Sequence, residues 1–229
     1  MNLFPVQQPI MQEQHGMAPQ IHTPLGTIQL SVSLSEQPLH PDRSYTLEND
    51  TLLYVYQQDT LECELLLCQL TPELPEGMSV EACWAAVFRL KPKLDGVIPE
   101  CTFAANWQEG YTWTDYGSDT GQNLEAAQYS NEVYRLHLGT QDRDMLMLRR
   151  DQGDGVPLSF GQDMHGIRNA DSKVWSSKYG LQVPMTTIVA GELCQIHFVV
   201  AWSRMAEDDA LTWFAVDQLT ESIVKAAGL

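Results

Sequence analysis

Residues 26–35 read Gly-Thr-Ile-Gln-Leu-Ser-Val-Ser-Leu-Ser, a two-residue alternation. Ile28, Leu30, Val32 and Leu34 fall on one side; Thr27, Gln29, Ser31, Ser33 and Ser35 fall on the other. Successive strand side chains point to opposite faces, so this stretch makes a strand with one dry and one wet face. Strands of that kind belong to antiparallel sheets, because parallel sheets are covered on both sides. The Thr/Gln/Ser side reads as plain solvent-facing sheet.

The pattern recurs outward from this strand. Residues 51–57 and 61–70 read as a hairpin around Gln58-Asp59. Leu61, Cys63, Leu65 and Leu67 form one apolar face. Glu62 and Glu64 begin the other, which turns apolar at Leu66, so the strand runs from rim to interior. Residues 79–90 fit a strand through Val80, Ala82, Trp84, Ala86, Phe88 and Leu90, and also fit a helix with Ser79 as N-cap. The prolines that fence the segment favour the strand. Residues 133–138 and 144–150 are expected to pair as a second hairpin. Residues 192–203, the most hydrophobic run, are expected to be a central strand. The chain then returns through residues 211–216 to a short terminal helix, 218–227, capped by Asp217. A single helix over 208–227 is the alternative.

Strands at this spacing, with Gly, Pro and Asp turns and no βαβ rhythm, predict a mainly β protein. The expected architecture is an antiparallel β-sandwich or jelly-roll-like fold with a short C-terminal α-helix. Residues 1–20, rich in Gln, Pro and Met, read as an N-terminal arm, tied to its own domain or to a neighbouring subunit. Residues 21–229 read as a single sandwich-like domain, a length that buries a core without disulfides or metals.

The formal charge of −17, from 30 acidic against 13 basic residues, leaves no basic footprint for nucleic acid and disfavours anionic membranes. No run approaches the roughly 20 apolar residues of a membrane helix. The N-terminus lacks the basic, then apolar, pattern of a secretory signal. Five irregularly spaced cysteines with apolar neighbours read as buried thiols of a reducing compartment. Together these predict a cytoplasmic protein.

Phosphate loops, dinucleotide fingerprints, zinc spacings and nucleophile elbows are missing from the sequence, so neither cofactor nor metal is expected. Three features could carry function. Trp107, Tyr111, Trp113 and Tyr116 lie among amides and carboxylates, the residue types that grip sugar rings by stacking and hydroxyl bonding. Residues 160–171 gather Asp163, His165 and Arg168 between glycines, a loop suited to binding or to acid–base work. Residues 115–123 place Asp115, Asp119 and Asn123 near glycines, oxygen ligands of the kind calcium takes, off the EF-hand spacing. His137 shares a polar strand face with Arg135, and His197 reads as a hydrogen-bonded core residue. The expected function is a non-catalytic binding or assembly protein, through a protein partner or self-association. The alternative is a carbohydrate-binding module or β-sandwich carbohydrate-active enzyme using Trp107, Tyr111, Trp113 and nearby carboxylates.

Overall fold

In the computed structural model the described residues are 3–6, 8–94, 96–161, 174–205 and 211–229. Their strands are β1 (Ile10–His15), β2 (Gln20–Thr23), β3 (Gly26–Leu34), β4 (Gln37–Pro38), β5 (Arg43–Leu47), β6 (Leu52–Gln57), β7 (Leu61–Gln69) and β8 (Ala82–Pro92). There follow β9 (Cys101–Trp107), β10 (Asp115–Ser118), β11 (Leu124–Ser130), β12 (Tyr134–Gln141), β13 (Trp175–Ser177), β14 (Gly180–Met185) and β15 (Cys194–Arg204). The helices are α1 (Arg143–Gln152), α2 (Leu211–Val216) and α3 (Thr220–Ala226).

Two antiparallel sheets face one another. Among the described residues the larger has nine strands in the order β1-β5-β6-β7-β8-β15-β12-β11-β10. The smaller runs β13-β14-β9-β3-β2, with β4 beside β3. Residue parity explains the layers. Ile28, Leu30 and Val32 of the opening strand meet Leu61, Cys63, Leu65 and Leu67 of β7 in the core between the sheets. Phe88 and Phe103, from opposite sheets, touch there with ring centroids 5.4 Å apart. The central strands are apolar on both sides because their other face is also covered. Leu66, Cys68, Ala85, Val87, Val199 and Ala201 pack beneath Ala215 and Val216 of α2 and Ile223 of α3. The rim-to-interior reading of β7, the strand at β8 and the central position of β15 all hold.

Three local expectations are corrected. Residues 144–150 form α1 rather than a strand, and β12 pairs instead with β11 and β15. Leu, Met and Arg favour helix, and the run has no β-branched residue. Asp142 caps its start by accepting from Met145 N–H at 2.8 Å, and Gly153 ends it in the left-handed region at φ 69°. Residues 211–216 are likewise helical, and the chain breaks after Val216 before α3 begins. Neither a returning strand nor one continuous helix forms there. The residue preceding α3 at its N-cap is Leu219, without a side-chain cap, so Asp217 does not start it.

The beginning of the chain lies on its own sheet. β1 pairs with β5 along the edge. Phe4 is buried, its N–H donating to Glu64 Oε2 at 2.8 Å, with the Arg89 guanidinium 4.2 Å above its ring. Burial raises the Glu64 carboxyl, and the Phe4 and Leu3 N–H groups offset part of that rise.

Candidate functional site

The register of the small sheet assembles a surface that no single segment announces. Trp175 pairs with Gln182, Gln182 with Ala104, and Ala104 with Ser31. Paired residues share a face, so these four form one row across β13, β14, β9 and β3, on the side away from the core. Flanking rows add Thr102 opposite Ser33 and Asn106 opposite Gln29. Gly180, beside Asn106, carries no side chain for a structural reason. Its φ is +139°, and a Cβ would stand 2.1 Å from the Ala105 carbonyl oxygen.

The result is a groove of about 370 Å³ lined by Ser31, Ser33, Thr102, Asn106 and Gln182. Its floor is shallow at Ala104, and its lining is mostly hydroxyls and side-chain amides, with Glu100 and Glu36 at one end. Trp175 continues the row at the sheet edge with 54% of its surface exposed. At about 4.8 Å per strand, the row from Trp175 to Ser31 is about 14 Å long. The wet face of the opening strand is therefore one wall of a concavity rather than plain sheet. Trp175 was not singled out from sequence. Its only signal there was an aromatic beside serines, which has no meaning until the register is known.

The aromatic run lies at the neighbouring end of the sandwich. β9 ends at Trp107, the chain turns at Gly110 with φ +94°, and Trp113 folds back to 6.5 Å from Trp107. Trp107 is only 8% exposed and packs edge-on to Tyr129 at 5.1 Å. Trp113 is half-buried against the same core. Tyr111 is 37% exposed and stacks on Trp113 at 4.4 Å with planes 9° apart. Thus Trp107 and Trp113 spend their faces on neighbouring rings and the core, and Tyr111 and Tyr116 form the exposed rim. The cluster also supports β13: Tyr129 Oη donates to the Ser177 carbonyl at 3.2 Å, and Tyr116 Oη lies 3.4 Å from Ser176 Oγ. Asp163, His165 and Arg168 lie outside the described residues.

A larger cleft of about 690 Å³ lies on the other side of the molecule, where α3 meets the ends of β8 and β15. Arg89 and Gln195 line it, bonded to each other at 2.5 Å, together with Glu192, Glu221, Val224 and Lys225. Arg89 Nη1 also donates to the Leu3 carbonyl. Glu192 is committed to the wall, accepting from Leu158 and Val189 N–H.

The histidines of β12 and β15 are both buried and bonded. His137 does not face solvent beside Arg135, because α2 covers it. Its Nδ1 lies 2.7 Å from Thr212 Oγ1 and its Nε2 2.9 Å from Asp119 Oδ2. Asp119, a candidate calcium ligand in the sequence, is thereby turned to an imidazole. His197 Nδ1 lies 2.7 Å from Thr220 Oγ1, as a hydrogen-bonded core histidine should. Burial lowers the pKa of both imidazoles. Asp119 offsets the fall at His137, whereas Arg149 deepens it at His197, which drops to about 3.

Among the described residues no group of three or more His, Cys, Asp or Glu side chains is arranged to hold a metal ion. No described helix is long and apolar enough to cross a membrane.

No protein-family model matches this chain, and no curated protein sequence matches it. Among solved structures, a chain described as "Putative kojibiose phosphorylase from human microbiome" is similar at a TM-score of 0.43 and 7% identity. The match covers 95% of this chain and 28% of that one. A likeness at this level says nothing about ligand or reaction.

Proposed function

We propose that this chain is a binding protein whose ligand surface is the outer face of the six-stranded sheet, and that the ligand is a neutral oligosaccharide. The row Trp175–Gln182–Ala104–Ser31 carries the reading. Hydroxyls and amides both donate and accept, matching the alternating demands of sugar hydroxyls. An exposed indole at the end of the row offers a flat apolar face to the C–H side of a sugar ring. The charge supports a neutral ligand too. A chain at −17 repels polyanions, and among the described residues the groove's lining includes no lysine or arginine that would recruit one. Phe4 and β1 engage their own chain, so the arm gives less support to assembly than the groove gives to ligand binding.

A glycan array followed by titration calorimetry tests this. Binding of a neutral glycan is expected, and Trp175→Ala should weaken it about tenfold, the order of one lost aromatic contact. Gln182→Ala should weaken it further, while Tyr111→Ala leaves it unchanged. An array blank for neutral glycans overturns the proposal. So does binding lost in Tyr111→Ala but kept in Trp175→Ala, which would move the site to the aromatic end.

A further inference from the structure

The large cleft has one wall that is weakly built. Glu221, Val224 and Lys225 of α3 and the following Leu229 form that wall, facing Glu192 and the turn after α1. α3 has seven residues, too few to be helical without the sheet beneath it, and its N-cap lacks a side-chain bond. Ile223 and Ala227 anchor it by apolar burial, and Asn49 Nδ2 and Gln8 Nε2 donate to the Ala227 carbonyl at its far end. At its start the polar anchor is Thr220, held by His197.

The two imidazoles differ in what surrounds them. A proton added to His137 would meet the Asp119 carboxylate already bonded at 2.9 Å, so α2 keeps its hold. A proton added to His197 would meet Arg149, itself buried and bonded to Gln141, to the Gln195 carbonyl and, at 2.9 Å, to the half-exposed Asp154 carboxylate, which pairs with the guanidinium and not with the imidazole. β8 presents Val87 to His197, β12 presents Gln141, and α3 presents Thr220. The link between the helices brings Asp217 to the small cavity beside His197. Burial raises that carboxyl, so acidification removes its charge rather than lending it to the imidazole.

We propose that α3 is an acid-released wall of the cleft: the closed pocket that packs Thr220 on the buried His197 has, among the described residues, no counter-charge for an imidazolium beside Arg149, so protonation drives α3 off the sheet and the cleft opens over Arg89 and Gln195. The state with α3 detached exposes the imidazole and binds the proton at an ordinary histidine pKa, so acid favours opening.

Hydrogen–deuterium exchange of the full chain at about pH 7.5 and about pH 5, corrected for intrinsic rates, reads the opening directly. Between an ordinary pKa near 6.5 and about 3, the opening equilibrium of residues 220–229 should rise about 30-fold at pH 5. α2 and β15 should lose protection only as far as global stability falls, and should stay better protected than residues 220–229 at both pH values. His197→Gln retains a partner for Thr220 without a titration and should abolish the pH response. Thr220→Val should loosen residues 220–229 at both pH values, giving a second reading should His197→Gln not fold. Unchanged protection of α3 at pH 5 overturns the proposal. An opening free energy of residues 220–229 no lower than that of α2 and β15, a pH response kept in His197→Gln, or wild-type protection of α3 in Thr220→Val does so too.

Discussion

The five cysteines illustrate how burial alone decides a residue's chemistry. All are free and buried. Desolvation pushes Cys68, Cys83 and Cys101 up to about 12 and holds Cys63 and Cys194 well above the ordinary thiol range. Since the thiolate is the nucleophile, these side chains should be inert in the native protein at neutral pH. A thiol-reactive chromophore should titrate none of them in buffer and all five after denaturation. Rapid native labelling of even one would contradict the packing. Their apolar neighbours made this burial legible in the sequence. The burial of His137 was not legible, because the helix that covers it arrives from residues 211–216, far along the chain.

At the scale of elements, α1 shows where pattern reading misleads. Asp-Met-Leu-Met-Leu-Arg-Arg looks like half a hairpin after a strand, and short apolar runs are ambiguous between periods. The helix is decided by its ends, Asp142 and Gly153, and by a stripe in which Leu146, Met147, Arg149 and Arg150 are all buried. Asp142→Ala should cost about 1 kcal/mol through loss of the cap. Gly153→Ala should cost about 1 kcal/mol because its φ of 69° is unfavourable for a side chain. Urea unfolding measures both, and a strand here would leave both substitutions near neutral. Strands with a clear two-residue period, β3 above all, were legible because the period is a local property of the chain. Helices of six and seven residues carry too few turns for a period to register.

For the whole molecule, the buried imidazoles set the direction of acid sensitivity. The folded pKa of His197 is depressed, so the unfolded chain binds the extra proton once pH falls below about 6.5. Stability is complete above that pH and is lost as pH falls toward about 3. His197 alone should lower the unfolding free energy by about 2 kcal/mol at pH 5. His137 pulls the same way, its fall partly offset by Asp119. Glu64 opposes them, because its raised carboxyl binds a proton more readily in the folded state. Unfolding midpoints at a series of pH values should therefore decline below about 6.5, and His197→Gln should flatten the decline. A midpoint independent of pH down to 5 would contradict a neutral buried His197.

The candidate site divides along the same line. Ser31 and Ser33 could be placed on a wet face from the alternation of residues 26–35 alone, since which way a strand residue points depends only on its parity. That this face is concave, and that Trp175 and Gln182 stand in line with Ser31, depends on which strands become neighbours and in what register. Trp107 and Trp113 carry the converse lesson. Their spacing made them candidates for stacking a ligand, and the turn at Gly110 folded them against each other and the core. The sequence by itself determined the antiparallel sheets, the apolar faces and the buried thiols, because these follow from local period and hydrophobicity. Only the tertiary structure decided the groove, the covered histidines and the α3 wall, because each is made by residues that meet through sheet pairing and helix docking.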